Sequence, residues 1–316
     1  MKPVIEINNL TKYFNVASGI NHAVDGVSMK IEKGETMGVV GESGCGKSTL
    51  GRTIIRLLEP TDGQILLDGE DITHAKGKAL REAREKMQIV FQDPYSSLNP
   101  RLTVEEIIKE PLTISKKYSR GELDDAVTEL MDRVGIDERL RKDYPHEMDG
   151  GRRQRVGIAR AIALNPSFVM CDEPVSALDV SIQAQVLNLM MDLQEEFGLT
   201  YMFVTHDLSV VKHISKNISV MYLGQLVETS PSKDLFVEQL HPYTKALLSA
   251  IPSTDVHHPM QRIMLKGELT SAINPKPGCR FAPRCPYATE ACLQPQKLEE
   301  VRPGHFVSCC RVNEIN

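Results

Sequence analysis

Apolar and polar positions along this chain repeat with two different periods. From Val4 to Leu10 they alternate singly, as in a strand with one buried face, and Ala23 to Ile31 forms a second run of that kind. The stretch Thr11-Lys12-Tyr13-Phe14 places aromatics between these strands, ahead of a polar loop. An apolar run ending at Val39-Val40 predicts another strand, followed by a helical run from Lys47 to about Leu58. Glu59-Pro60-Thr61-Asp62-Gly63 marks a turn, Gln64 to Leu67 opens a strand pair, and a charged helix follows around Lys78 to Lys86. Gln88 to Asp93 reads as a strand stopped by Pro94. Residues Val104 to Val134 carry apolar positions at helical spacing: Val104, Ile107 and Ile108, then Ala126, Leu130 and Val134. Beyond them Met148 to Arg155 opens a helix, Val156 to Leu164; a strand from Ser167 to Glu173, a helix from Ile182 to Phe197, and a strand from Tyr201 to Asp207 follow.

Composition removes several classes. The 316 residues suffice for one to three domains and a large core. Lys and Arg number 37 against 42 Asp and Glu, net −5, so no global basic field points to nucleic acid. No apolar run reaches the ~18 residues of a membrane span. The opening Met1-Lys2-Pro3-Val4-Ile5-Glu6 lacks the charged-then-apolar pattern of a signal peptide. The expectation is a soluble, cytoplasmic chain that reaches a membrane through a partner. Five of the seven cysteines fall after residue 278, which suggests a body to about residue 230 and a Pro/Cys-rich tail.

The chemistry centres on Gly41-Glu42-Ser43-Gly44-Cys45-Gly46-Lys47-Ser48, followed by Thr49. A strand, then G-x-x-x-x-G-K-S, then a helix is the phosphate-binding loop. Its glycines let backbone N–H groups surround phosphate oxygens, and the helix start adds partial positive charge. Lys47 can reach β- and γ-phosphates, and the Ser48 hydroxyl can ligate Mg²⁺. A ligand-free glycine turn is the bland alternative; the placement between strand and helix favours nucleotide. The strand ending Asp172-Glu173 offers one acid to hold Mg²⁺ through water. On the alternation of a strand, its neighbour faces the other way and can polarise the attacking water. Gln92 and His206 also end strands, where open α/β sheets bind ligands; Gln92 can complete a Mg²⁺ shell and His206 can sense a γ-phosphate. Read alone, each could be a solvated strand end.

In that order, Gly41 to Ser48, Gln92, Gly150-Gly151, Val169 to Glu173, Ser176-Ala177-Leu178-Asp179 and His206 resemble the ATP-binding-cassette (ABC) ATPases over about residues 1–230. Phe91 to Pro100, His241-Pro242-Tyr243-Thr244, and Gly267-Glu268-Leu269 through Pro277-Gly278-Cys279 resemble the oligopeptide/dipeptide importer branch. The resemblance implies an α/β fold with a mainly parallel core sheet, an antiparallel β subdomain, a helical subdomain at about 93–165, and an extension at 231–316. It implies ATP and Mg²⁺ as ligands, Phe14 as the adenine-stacking aromatic with Tyr13 the alternative register, and Ser48, Gln92 and Asp172 as Mg²⁺ contacts. Glu173 becomes the catalytic base, His206 the switch histidine and Asp179 a dimer contact. The implied function is ATP hydrolysis driving peptide import at the cytoplasmic face of a membrane. Implied partners are a second ATPase, two permease subunits docked near Gln92, and indirectly an extracytoplasmic substrate-binding protein, with no nucleic acid. Two rivals remain: a soluble cassette ATPase serving metallocentre assembly, and a regulatory cassette that scarcely turns over. Peptide, nickel chelate and oligosaccharide are not distinguished as cargo.

Two stretches depart from the plain pattern. The family's Ser-Gly-Gly-Gln is here Asp149-Gly150-Gly151-Arg152. Asp is as good a helix cap as Ser, but a carboxylate near a partner's γ-phosphate opposes it by about 1–3 kcal/mol. That predicts a heterodimer with one slow site. In the tail, Cys279, Cys285, Cys292 and Cys309 lack the close pairs typical of structural zinc, and disulfides are disfavoured in a reducing compartment. Spacing alone leaves iron–sulfur cluster, zinc and free thiols open. The importer branch implies a [4Fe–4S] cluster on these four, with Cys310 competing for the place of Cys309. Because the cysteines lie far from the phosphate loop in sequence, their expected role is structural or in partner contact.

Overall fold

A computed structural model describes residues 2–251, 262–265, 267 and 271–316, with the backbone alone at Arg120. Glu268 and Leu269 of the importer-like tail motif lie outside the described residues. The strands in chain order are β1 (Pro3–Val16), β2 (Gly19–Glu32), β3 (Thr36–Val40), β4 (Asp62–Leu67), β5 (Glu70–Asp71), β6 (Met87–Val90), β7 (Phe168–Asp172), β8 (Thr200–Thr205), β9 (Asn217–Tyr222), β10 (Gln225–Pro231), β11 (Glu299–Arg302) and β12 (His305–Val307). The chain folds into two compact units. One comprises Met1–Ile5, Ile31–Glu35 and Leu67–Met202; the other comprises Glu6–Lys30, Thr36–Leu66 and Phe203–Asn316.

In the first unit β6 and β7 pair in parallel, from Met87 opposite Phe168 to Val90 opposite Cys171. Every residue of β7 is buried, as its unbroken apolar run requires. The expected single helical region from Val104 to Val134 is two helices, Val104–Ser115 and Arg120–Arg133. Lys116 adopts a left-handed backbone between them (φ 58°). Each helix opens with a reciprocal cap, Thr103 with Glu106 and Ser119 with Glu122, a Ser/Thr-x-x-Glu signal that a single periodic reading overlooks. The next helix spans Gly150–Ile162, opened as its residues suggest: the Asp149 side chain accepts the Arg152 N–H at 2.8 Å and caps it. Arg160 donates to the Ser97 carbonyl and Arg155 to the Val134 carbonyl, both at 2.7 Å, tying this helix to its neighbours.

In the second unit β1 lies between β2 and β4. β1 runs on through Thr11–Phe14 to Val16, so the aromatics placed ahead of a loop are strand residues. The pairing explains the extension: Thr61 N–H donates to the Thr11 carbonyl at 2.8 Å, and Tyr13 N–H to the Thr61 hydroxyl at 3.0 Å. The helix after the phosphate loop spans Lys47–Ile54, shorter than expected, because Arg56 turns left-handed (φ 58°) and the Leu57 and Leu58 N–H groups fold back to the Arg52 carbonyl.

A second sheet in this unit runs β11-β12-β10-β9-β3. The β3–β9 pair is parallel; β9–β10, β10–β12 and β11–β12 are antiparallel. The change of direction follows from tight connections, such as the β9–β10 turn at Leu223 (φ 44°) and Gly224 (φ 85°). The tail thus contributes two strands that its sequence does not announce. Glu228, fully buried on β10, holds them by accepting the N–H groups of Leu240 (2.8 Å) and His241 (3.0 Å) and bonding His305 Nε2 at 2.7 Å. Burial pushes the His241 imidazole down to about 4, and this neutral ring caps the helix Pro242–Ser249 by accepting the Tyr243 N–H at 3.1 Å. Among the described residues no helix is long and apolar enough to cross a membrane.

Candidate functional site

The phosphate-loop residues lie in the second unit. Gly41 (φ 154°), Gly44 (φ 78°) and Gly46 (φ 107°) all have positive φ. Two of them are also crowded: a Cβ on Gly41 would collide with the Met221 carbonyl, and one on Gly46 with the Ala23 carbonyl. At these two positions side chains are therefore excluded by both conformation and space. The buried Lys47 ammonium donates to the Gly41 and Glu42 carbonyls at 2.8 and 3.0 Å. Ser43 and Gly44 are exposed; Ser48 and Thr49 are half-buried on the first helical turn. Cys45 is buried, and that burial raises its thiol pKa. His206 is exposed just beyond β8, not within a strand, since Asp207 already caps the helix Leu208–Ile214.

The first unit brings the expected acid and amide together. Gln92 Nε2 donates to Glu173 Oε2 at 3.0 Å across 81 residues of sequence. Asp172 ends β7 and is 1% exposed. Glu173 does not continue the strand's alternation: its backbone is left-handed (φ 47°), so a turn, rather than the pleat, aims its carboxylate. The Gln92 amide and the Asp172 carboxylate in this unit, like the Ser48 hydroxyl in the other, carry oxygens of the hard kind that Mg²⁺ takes.

Asp149 has two local partners, the Arg152 N–H and the Arg152 side chain (Nε at 3.3 Å). Both side chains are more than half exposed, so the ion pair contributes little, and the cap, worth about 1 kcal/mol, is the larger local effect. Gly150 and Gly151 have a packing reason of their own. A Cβ on Gly151 would come within 2.6 Å of Ile182, and one on Gly150 within 3.2 Å of Leu178.

Phe14 is half-buried, with the Lys12 ammonium 5.0 Å from its ring. Tyr13 is otherwise engaged: its ring lies 3.9 Å from that of His22 and its hydroxyl bonds Asp25 at 2.5 Å. Burial and the Asp25 carboxylate push the phenol pKa up to about 12. The β1 register therefore leaves Phe14 as the aromatic with fewer commitments.

All seven cysteines are free thiols. In the tail, Cys292 and Cys310 place their sulfurs 4.0 Å apart, while Cys309 packs against the small core of Leu240, Val307 and Val312. Burial pushes the Cys279 thiol up to about 11 and raises those of Cys285 and Cys309. Among the described residues no group of three or more His, Cys, Asp or Glu side chains is arranged to hold a metal ion. As thiols these sulfurs are chemically suited to iron but not arranged around it, and the expected cluster gains no support from this geometry.

The tail is not remote from the phosphate loop, as sequence separation suggested. Arg284, between Cys279 and Cys292, bonds the Glu42 carboxylate through both terminal nitrogens at 2.9 and 3.3 Å. Neither Glu42 nor Arg284 is singled out by sequence reasoning, and no local signal links residues 242 positions apart.

Comparison with known proteins places these features in a family. A family profile described as ABC transporter matches residues 24–176. The oligopeptide transport ATP-binding protein AppF of Bacillus subtilis is 52% identical over 317 residues, covering 97% of this chain and 96% of the relative. The chain belongs to the ABC transporter ATPase family. A second profile, the C-terminal region of oligopeptide/dipeptide transporters, matches residues 227–292 of this ABC subunit. A putative peptide import ATP-binding protein of Brucella ovis is 47% identical over 313 residues, with 98% of each chain covered. Among solved structures, cbiO1 from Clostridium perfringens, part of an ABC transporter complex, superposes with a TM-score of 0.68 at 30% identity, covering 76% of this chain and 92% of its own. A dimeric ATP-binding cassette in a post-hydrolysis state with ADP and Pi gives 0.66 at 30% identity, covering 72% and 98%.

Proposed function

We infer that this chain is the ATP-hydrolysing subunit of a peptide importer, driving transport through a partner permease. The observation that carries the reading is the occurrence, on one chain, of an ABC cassette and the C-terminal region of oligopeptide/dipeptide transporters. ATP hydrolysis follows from family membership; peptide as cargo follows from relatives named for oligopeptide and peptide import across nearly their whole length.

In this reading the cassette occupies 1–230, with a helical subdomain at 93–165, and the extension occupies 231–316. The loop from Gly41 to Thr49 holds the phosphates, Phe14 stacks on adenine, and Ser48, Gln92 and Asp172 hold Mg²⁺. The ion, when bound, offsets charge on the β- and γ-phosphates. Glu173, aimed by its turn and held by Gln92, accepts the proton of the attacking water. His206 contacts the γ-phosphate. The segment after Gln92 exposes Asp93, Tyr95, Ser96, Asn99 and Pro100, which suits docking on a permease and peripheral attachment at the cytoplasmic face of the membrane. A substrate-binding protein would act on the other side.

The assembly is a heterodimer of ATPases in which Asp149, with Gly150 and Gly151, faces the partner's nucleotide. The test is isolation of the complex from its native membrane. It should contain two permease chains and a second, distinct ATPase, and Asp149→Ser should speed single-turnover hydrolysis at the partner's site by roughly tenfold, the kinetic equivalent of ~1.4 kcal/mol. Recovery of a homodimer, or equal rates at both sites unaltered by Asp149→Ser, would reduce Asp149 to a helix cap.

A [4Fe–4S] cluster on Cys279, Cys285, Cys292 and either Cys309 or Cys310 belongs to the same proposal. What supports it is the sequence: five cysteines gathered after residue 278, three of them within the stretch that matches the oligopeptide/dipeptide transporter C-terminal region. Protein purified without oxygen should contain iron and acid-labile sulfide, both lost in Cys285→Ser; iron-free or zinc-bearing protein overturns the assignment.

A further inference from the structure

We propose that the C-terminal extension supplies positioning residues for the phosphate loop: Arg284 and Tyr243 hold Glu42 away from the bound phosphates. The proposal rests on the reading that this loop holds ATP.

Glu42 is the second residue of the loop, and its carboxylate is an awkward group there. ATP brings several negative charges to the same few ångströms, so an unpartnered carboxylate in the loop opposes binding. The structure gives it a cationic partner from the extension. Both terminal nitrogens of Arg284 engage its two oxygens, at 2.9 and 3.3 Å, in the forked geometry that planar guanidinium and carboxylate groups favour. The Arg284 side chain is 9% exposed and that of Glu42 is 24% exposed, so water screens this pair less than an ordinary surface pair. Bonding to Glu42 raises the guanidinium pKa, so its charge is permanent.

Two further contacts fix the backbone behind that carboxylate. The Glu42 N–H donates to the Tyr243 hydroxyl at 2.9 Å, and the Gly224 N–H donates to the Cys45 carbonyl at 2.8 Å. Tyr243 cannot drift, because it is fully buried against Tyr222 and Phe281, with ring centroids 4.7 and 5.5 Å away. Phe281, three residues before Arg284, inserts into that aromatic wall and is 1% exposed. On the other side of it, Arg280 bonds the Leu223 carbonyl and the Asp25 carboxylate. The segment from Arg280 to Arg284 therefore braces both the loop and the turn that supports it.

The readout is ATP binding by the intact chain, followed with a fluorescent ATP analogue, together with KM and kcat of the assembled transporter. Arg284→Ala should raise Kd and the KM for ATP by about tenfold, within the range of coupling between residues in direct contact, with kcat unchanged. Adding Glu42→Gln should restore much of that loss, because it removes the charge that Arg284 holds back. Tyr243→Phe keeps the ring, removes only the acceptor for the Glu42 N–H, and should raise Kd about threefold, the cost of one modest hydrogen bond; it decides the matter if Arg284→Ala fails to fold. Wild-type Kd in both Arg284→Ala and Tyr243→Phe overturns the proposal. So does a double variant whose loss is the sum of two independent losses. Absence of ATP binding by the unaltered chain would instead overturn the nucleotide reading, and the proposal with it.

Discussion

Exchanging Glu173 for Gln is expected to lower ATP turnover by roughly 10²–10⁴-fold, the range for removing a positioned general base, with ATP still bound. The geometry makes this substitution informative. Glu173 is one of the few non-glycine residues with positive φ (47°), a conformation that costs about 1–3 kcal/mol and needs support from its surroundings. That support comes from the Ser176 N–H and hydroxyl, which bond the Glu173 backbone carbonyl at 3.3 and 3.1 Å. Glutamine preserves these bonds and can still accept the Gln92 amide N–H at its own Oε1. What disappears is the capacity to take a proton. Turnover is measured in the assembled complex, and nucleotide occupancy in the same sample. Wild-type turnover would remove Glu173 from the chemistry, and loss of ATP binding would assign it to the binding site instead.

Gly46→Ala should weaken ATP binding by at least ~100-fold. Gly46 sits at φ 107° and forms the N-cap of the helix Lys47–Ile54. A Cβ there would run into the Ala23 carbonyl and lie 2.9 Å from Met221 Cε. Methionine can swing aside, but the backbone carbonyl cannot. The loop must therefore shift, and strain of about 1–3 kcal/mol adds to the loss of N–H bonds to charged phosphate oxygens, each worth about 1.5–3 kcal/mol. Gly44 is the internal control: its φ is 78°, but a Cβ would meet nothing within 4 Å. Gly44→Ala should cost about tenfold or less, from backbone strain alone. Titration of both variants with a fluorescent ATP analogue, alongside their melting temperatures, separates loop geometry from global stability. Equal affinities in the two variants would mean that the Gly46 contact does not shape the loop.

Element boundaries failed where capping, not periodicity, decided them. The apolar spacing of Val104, Ile107 and Ile108 is real and these residues are buried. It cannot register the chain reversal at Lys116, however, because the stripe resumes in the following helix. The start of the signature helix is a capping decision too: Gly150-Gly151-Arg152-Arg153 carries no apolar period, and the side chain of Asp149, a residue type suited to that place, caps the helix there. Tyr13 and Phe14 fall beyond the strand that alternation predicts, which stops at Leu10; pairing with Thr61 carries β1 on through them.

What the sequence by itself determined was the local chemistry. Eight contiguous residues from Gly41 to Ser48 specify a phosphate loop because glycine spacing, lysine and the following helix all act within one turn of chain. The strand ending at Asp172 is legible in the same way, from its apolar run. Tertiary structure decided everything that depends on pairing across long separations. It set Gln92 against Glu173, 81 residues apart, Tyr243 against Glu42 across 201, and Arg284 against Glu42 across 242. It also decided that the cysteine segment lies against the nucleotide loop, since that follows from β12 pairing with β10 and from Phe281 entering an aromatic wall. No periodicity encodes such contacts: they exist only once the burial of Glu228, Tyr222 and Tyr243 has chosen which strands meet.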